Sequence, residues 1–264
     1  MKRKLGLALG SGGAKGFAHV GVIQVLLENN IAIDCIAGSS AGAIVGAYYA
    51  LHLEVDGLAE WANKFKKKDL VRLLDFHKPD SSMIKGKKIR DFLNQNFFLD
   101  MSISDARIPL GIVATVLEDG KPFVFKSGKI VDAVMASATV PGIIPPTIYN
   151  GKHLVDGAFA DAVPIKVCKQ LGAEVVLGID LYSITRVNDE YNSMIRIMER
   201  SWKLLMAKLS DQLECQNDPG VLVLRPKVKW DELFAFENSE KHLRLGRRVA
   251  KAALPRIKKL LRRV

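Results

Sequence analysis

The first fifty residues alternate short apolar runs with longer segments of helical character, and glycines crowd the junctions. Residues 5–9 are apolar and stop at Gly10-Ser11-Gly12-Gly13, the pattern of a buried strand feeding a tight turn. Residues 15–28 carry Phe17, Val20, Val22, Ile23, Val25 and Leu26 and break at Asn29-Asn30, which predicts a helix. Residues 33–37 repeat the short apolar run, and alanine-rich 41–51 repeats the helix. Strand, helix, strand, helix in that order predicts an α/β chain whose parallel sheet carries helices on its faces.

The rest of the chain extends this reading. Helices are expected over 54–68 and 85–97, separated by a loop at 76–82 that Pro79-Asp80 marks. Residues 112–117 and 123–125 read as strands around Glu118-Asp119-Gly120, and 147–149 and 153–155 flank Asn150-Gly151, a strong two-residue hairpin signal. A helix over 164–171 stops at Gly172 and leads to a buried strand at 175–179. A long helix at 191–214, a strand at 221–224 and a basic C-terminal helix follow, the last expected to kink or divide at Pro255. With 264 residues, 48% apolar and 25% charged, the chain has material for a substantial core, which excludes a disordered or collagen-like protein. No composition shift divides it, so 1–264 is expected to be one domain.

Met1-Lys2-Arg3-Lys4 before an apolar run imitates a secretory signal, but the run ends after five residues. Residues 36–51, the best spanning candidate, are too short and too rich in small residues for a membrane helix. Cys35, Cys168 and Cys215 are odd in number and far apart, giving neither a disulfide framework nor a metal-binding pair. A cytoplasmic protein is expected, with no cofactor and no metal. The net charge of +11 resides almost wholly in residues 241–264, which hold ten Lys/Arg and no Asp or Glu. Interleaved Leu243, Val249, Leu254, Ile257, Leu260 and Leu261 make this tail a candidate for peripheral contact with an anionic membrane, at the inner surface of the cell, or for a plain solvated helix face. Residues 64–90 form a second basic stretch, ten Lys/Arg against three Asp, for which a solvated helix face is the plain reading, since a basic patch alone names no partner.

Gly38-Ser39-Ser40-Ala41-Gly42 matches G-x-S-x-G, the elbow in which a sharp strand-to-helix turn lifts a serine hydroxyl above a sheet. Its position between an expected strand and an expected helix is what gives the pentapeptide weight. Gly10 to Gly16 form a second strand-to-helix loop able to receive an anion on backbone N–H groups. A dinucleotide fingerprint and a Walker loop both need glycine where Lys15 stands. An oxyanion hole at Gly12 and Gly13 remains, with Lys15 orienting a negative substrate or holding the loop. A base for the serine is harder to find. His52 and His77 lie in solvated contexts, His242 sits among Lys/Arg without an obvious carboxylate, His19 suits a structural bond, and His153 is an odd number of strand residues from Asp156. Asp156 is the leading carboxylate, although an Asp-Gly after a hairpin strand is usually only a turn.

Taken together, Gly10-Ser11-Gly12-Gly13-Ala14-Lys15-Gly16 with the following Phe17-Ala18-His19-Val20-Gly21-Val22, then Gly38-Ser39-Ser40-Ala41-Gly42, then Ala136-Ser137-Ala138-Thr139-Val140-Pro141 with Pro145-Pro146, and Val155-Asp156-Gly157-Ala158 resemble the bacterial patatin-like phospholipases. The resemblance covers about residues 5–182 and leaves 183–264 as a helical, basic extension. It implies a three-layer α/β/α fold with a mainly parallel central sheet, and a Ser-Asp dyad in place of a triad. Ser40 then becomes the nucleophile, Asp156 the base, Gly12 and Gly13 the oxyanion donors, and Gly38 and Gly42 the flanks of the elbow. The implied substrate is a phospholipid or other acyl ester, cleaved through an acyl-enzyme. Acyl transfer or thioester or simple ester hydrolysis on the same dyad stands beside it, as does a non-enzymatic basic module binding lipid or nucleic acid, although no nucleic acid is expected. Ser11 and Lys15 depart from the family's usual glycine and arginine, and Asp161 stands where asparagine is common.

Overall fold

The computed structural model describes residues 2–65, 67–76, 82–182, 193–211, 218–227 and 236–262. Its centre is an eight-stranded sheet. Strands β1 (Leu5–Leu9), β2 (Cys35–Ser39), β3 (Leu110–Val116), β7 (Val175–Ile179) and β8 (Val221–Leu224) run parallel in the order β3-β2-β1-β7-β8. Strands β4 (Pro122–Phe125), β5 (Thr147–Tyr149) and β6 (Lys152–Asp156) add an antiparallel edge. Alternate residues of the parallel strands face two separate apolar layers. Leu5, Leu7, Leu9, Ile36, Ile112, Leu177 and Ile179 enter a large core under helices α1 (Phe17–Glu28), α2 (Ala41–His52) and α6 (Ile130–Ser137). Ala8, Ala37, Val113 and Val176 enter a smaller one under α8 (Ile165–Gln170). The expected α/β/α layering is therefore present, with the bulkier residues assigned to the thicker layer.

Several boundaries differ from the sequence expectation. Strand β2 starts two residues later than 33–37, because the Asp34 carboxylate accepts the Leu5 N–H at 2.7 Å and closes the turn before it. The helix expected over 54–68 is broken into α3 (Asp56–Lys64) and α4 (Lys67–Leu73). The one expected over 85–97 is α5 (Lys87–Leu93) continued by a π-helical turn at Asn94–Phe98. Helix α6 was not among the expected elements. The short helix α7 (Ala158–Asp161) likewise follows the Asp156-Gly157 turn unannounced. Of the helix expected at 191–214, α9 (Met194–Asp211) is described. His77 and Cys215 lie outside the described residues.

Helix α10 (Ser239–Leu261) runs through Pro255 without dividing. The carbonyl that proline deprives of a partner belongs to Lys251, an exposed residue on the outer side of the helix. The apolar side of α10 is spent inside the protein: Ala250, Ile257 and Leu261 are buried in the main core beside α1. The two helices cross at glycines on both sides. A Cβ at Gly21 would fall 2.1 Å from the Leu243 carbonyl oxygen, and one at Gly246 would fall 2.0 Å from that of Ala18.

Candidate active site

Strands β2 and β6 meet head to head along one edge of β3. Ser39 pairs with Val113 as the last residue of β2, and Asp156 pairs with the next residue, Ala114, as the last of β6. Strand β4 pairs with the same β3 residues and so occupies the opposite edge. This junction delivers Ser40 and Asp156 to one point, and no local pattern in the sequence encodes it. Ser40 itself has φ 53° and ψ −119°, a strained backbone for a residue with a side chain, and it precedes the first residue of α2. The sharpness of the turn demands small neighbours: a Cβ at Gly38 would lie 2.3 Å from the Gly42 carbonyl oxygen, and one at Gly42 would lie 2.1 Å from that of Leu9.

Two hydroxyl residues, Ser137 at the end of α6 and Thr139 just beyond it, hold this junction, and sequence reasoning gave neither a role. Ser137 Oγ accepts the Ser40 N–H at 2.8 Å and donates to the Val113 carbonyl at 2.5 Å. The Ser137 and Thr139 carbonyls accept the N–H groups of Gly157 (3.1 Å) and Asp156 (2.8 Å). Thr115 Oγ1 completes the clamp by donating to the Asp156 carbonyl at 2.8 Å. The only sequence signal for these residues was the recurrence of Ala136-Ser137-Ala138-Thr139 in the resemblance.

Asp156 is fully buried, and burial raises its carboxyl from the usual carboxylate range to about 6. The Ser40 hydroxyl, the Ala158 N–H at 2.9 Å from Oδ1, and the Ser11 hydroxyl pull the other way. The Ser11 pull is the weakest of these, and its buried Oγ makes no hydrogen bond of normal geometry. Asp161 is not part of this group. Burial lifts its carboxyl to about 7, its charge bears on the Cys168 thiol, and its carbonyl accepts the Ser39 hydroxyl at 2.6 Å.

The glycine loop leaves β1 at Gly10 and enters a 3-10 turn at Gly13–Gly16, with Gly13 at φ 56°. Lys15 is buried here. Its Nζ donates to the Leu181 carbonyl at 3.0 Å and stands 5.0 Å from the centre of the Tyr182 ring, so it straps the loop to the end of β7. His19 Nε2 donates to the Gly10 carbonyl at 2.7 Å, and complete burial lowers its pKa to about 4, so it stays neutral. His242, which looked stranded among cations, is buried with Nδ1 at 3.2 Å from the Ala14 carbonyl. His52 is half-buried against the Tyr48 ring with Nε2 at 3.3 Å from the Phe97 carbonyl, which corrects its solvated reading. His153 pairs with Glu118 at 2.8 Å on an exposed surface.

Ser40 opens onto an almost wholly apolar cavity of about 1110 Å3, its open mouth included. Gly13 and Ala41 line it beside the serine, and Trp61, Phe65, Phe92, Phe97 and Phe236 form an aromatic wall farther on. The rings contact one another at centroid distances from 4.4 to 6.4 Å, mostly tilted or edge-on, which gives that wall a fixed shape.

Residues 7–169 match the sequence profile of the patatin-like phospholipase family. The chain is a patatin-like phospholipase family member. Similar proteins include an uncharacterised NTE family protein of Mycobacterium tuberculosis, 36% identical over 178 residues that cover 67% of this chain and 49% of that protein. The lysophospholipase nte1 of Emericella nidulans is 30% identical over 281 residues, covering 97% of this chain and 18% of its own length. This patatin-like chain thus spans about half the length of the mycobacterial relatives and under a fifth of the fungal ones. Among solved structures, VipD of Legionella pneumophila has the same fold at a TM-score of 0.60 and 11% identity, covering 95% of this chain and 67% of that one. Full-length ExoU with SpcU from Pseudomonas aeruginosa gives 0.51 at 14% identity, over 99% and 53% of the two chains.

Proposed function

We propose that this protein is a lipid acyl hydrolase that cleaves acyl esters of phospholipids or related lipids through Ser40 and Asp156. The observation that carries the reading is the placement of one strained serine between a buried carboxyl and an apolar cavity. Asp156 takes the proton of Ser40 Oγ as that oxygen attacks the ester carbonyl carbon. The resulting oxyanion lies over the glycine loop, where the N–H groups of Gly12 and Gly13 receive it, with the N-terminus of α2 beneath the serine. Collapse expels the alcohol, which takes the proton from Asp156 and leaves an acyl-serine. Water then attacks the acyl-serine, Asp156 accepts its proton, and the fatty acid departs as the proton returns to Ser40. The apolar cavity takes the acyl chain. In this scheme Lys15 holds the loop and makes no contact with substrate.

Association with a membrane is part of the proposal, at the cytoplasmic surface. No helix among the described residues is long and apolar enough to cross a bilayer, so contact is peripheral. What α10 offers a membrane is its basic outer side alone, since its apolar side is buried against α1.

A fluorophosphonate tests the nucleophile. One adduct on Ser40, absent from Ser40→Ala, is expected by intact mass and peptide mapping. A folded wild-type protein that neither takes the adduct nor hydrolyses any ester would overturn the proposal. A milder variant tests the clamp: Ser137→Ala is expected to lower kcat by roughly 10- to 100-fold with little change in KM, because it frees the Ser40 N–H without touching substrate. An unchanged kcat would remove Ser137 from the positioning set.

A further inference from the structure

The described parts of the basic stretch 64–90, residues 64–65, 67–76 and 82–90, have an apolar inner side and a charged outer side. Its inner side helps build the cavity: Phe65, Leu73 and Ile89 line it, and Phe92 and Leu93, just beyond the stretch, continue the same wall. Backbone bonds tie the segment to the rest of the wall, with Met83 N–H donating to Gly142 at 3.1 Å and Ile84 N–H to Ile143 at 3.0 Å, beside the lining residues Val140 and Ile144. On its outer side Phe76 is 63% exposed, Val71 55% and Met83 48%. Around these apolar side chains Lys68, Lys85, Lys87 and Lys88 are exposed and, among the described residues, make no ion pair. The nearby carboxylate of Asp75, which accepts the N–H groups of Gly86 (2.8 Å) and Lys88 (3.3 Å), offsets only part of this charge and leaves the surface net positive.

We infer that the outer side of residues 68–76 and 82–88 is the surface on which this protein seats itself on an anionic phospholipid bilayer, with Val71, Phe76 and Met83 entering the interface and the lysines meeting phosphate headgroups. The inference rests on the proposed lipid hydrolase reading for the source of its partner. Two features of the surface select that partner: a net positive charge, which a surface of anionic headgroups complements, and its place on the same chain segments whose Leu73 and Ile89 line the apolar cavity that receives the acyl chain. Helix α10 lacks the second feature because its apolar residues are internal. Helix α9 exposes Met198 and Leu205, yet its inner side rests on Phe159 and Tyr182 and contributes nothing to the cavity wall.

The test uses Ser40→Ala protein, so that binding is read without turnover, and co-sedimentation with vesicles of phosphatidylcholine alone or mixed with phosphatidylglycerol. Binding is expected for the mixed vesicles and to fall steeply with added salt. Lys85→Glu, Lys87→Glu and Lys88→Glu together are expected to weaken it by more than about tenfold, and Phe76→Ser with Met83→Ser by roughly fivefold or more with the salt dependence retained. Arg256→Glu with Lys259→Glu on α10, or Met198→Ser with Leu205→Ser on α9, should change it by less than about threefold. Thermal melts confirm that each variant is folded. Mixed vesicles left unbound by the parent protein, undiminished binding by both the lysine and the Phe76/Met83 variants, or a larger loss from the α9 or α10 variants would each overturn the inference. Because no step requires hydrolysis, a failure of the ester chemistry and a failure of this surface give different results.

Discussion

Asp156→Asn is expected to lower kcat/KM on a soluble ester by roughly 1,000- to 10,000-fold while raising the melting temperature at neutral pH. Asparagine keeps the shape and the bond from Ala158 N–H but cannot take the serine's proton. The gain in stability follows from the sign of the pKa shift. Burial raises the folded-state value from 3.8 to about 6, so the folded protein holds a proton that the unfolded chain has released across that window. Stability is therefore lost as pH rises from about 4 to 6, by at most about 3 kcal/mol, and stays lost above it. At roughly 2–4 °C per kcal/mol, the variant should melt several degrees above wild type at pH 7.5 and level with it near pH 3.5. Equal melting temperatures at pH 7.5, or full activity, would remove Asp156 from its role. The wild-type pH–rate profile should fall below about pH 6, well above the ordinary carboxylate range. A limb at that pH resembles a histidine's, so His153→Gln, at a surface pair remote from the site, should leave it in place.

Removal of residues 241–264 is expected to abolish hydrolysis of vesicles and of a soluble ester alike. The tail is a structural layer: Ala250, Ile257 and Leu261 complete the core over α1, and His242 bonds the Ala14 carbonyl in the glycine loop. A finer variant makes the same point. Gly246→Val has nowhere to put its Cβ, which would stand 2.0 Å from the backbone oxygen of Ala18, so the helices must part. A cost of roughly 3–5 kcal/mol is expected, visible as a fall of roughly 6–20 °C in melting temperature and as parallel loss of both activities. Gly21→Val attacks the same crossing from the other side, and the pair should cost less than the sum of the two. A shortened chain that hydrolyses the soluble ester normally would assign the tail to membrane contact alone.

The residues that made the first half of the site legible act locally. Leu5 to Ser40 carry their own instructions, because buried parallel strands are continuous apolar runs and the elbow needs glycines within two residues of its serine. Asp156 is different in kind. Its partner is 116 positions away, brought near only because two strands end against neighbouring residues of β3, and the resemblance supplied what spacing had left open. The tail misled for a related reason. Leu254, Ile257 and Leu260 have the periodicity of a surface helix whether their apolar side meets lipid or protein, and the deciding residues, Gly21 and Gly246, lie 225 positions apart. His52 and the break between α3 and α4 were hidden similarly, by tertiary contacts with no local mark.

The end-to-end meeting of β2 and β6 has a kinetic meaning. The separation between hydroxyl and carboxyl is a property of backbone pairing to a shared strand, so side-chain motion cannot assemble the dyad ahead of the sheet. During folding, reactivity is acquired only once the antiparallel hairpin has paired with β3, and a chain without that pairing presents an ordinary, inert serine. The same geometry marks a place open to evolutionary elaboration. The Asn150-Gly151 turn lies at the far end of β6 from Asp156, so insertions there extend the hairpin outward without displacing the base.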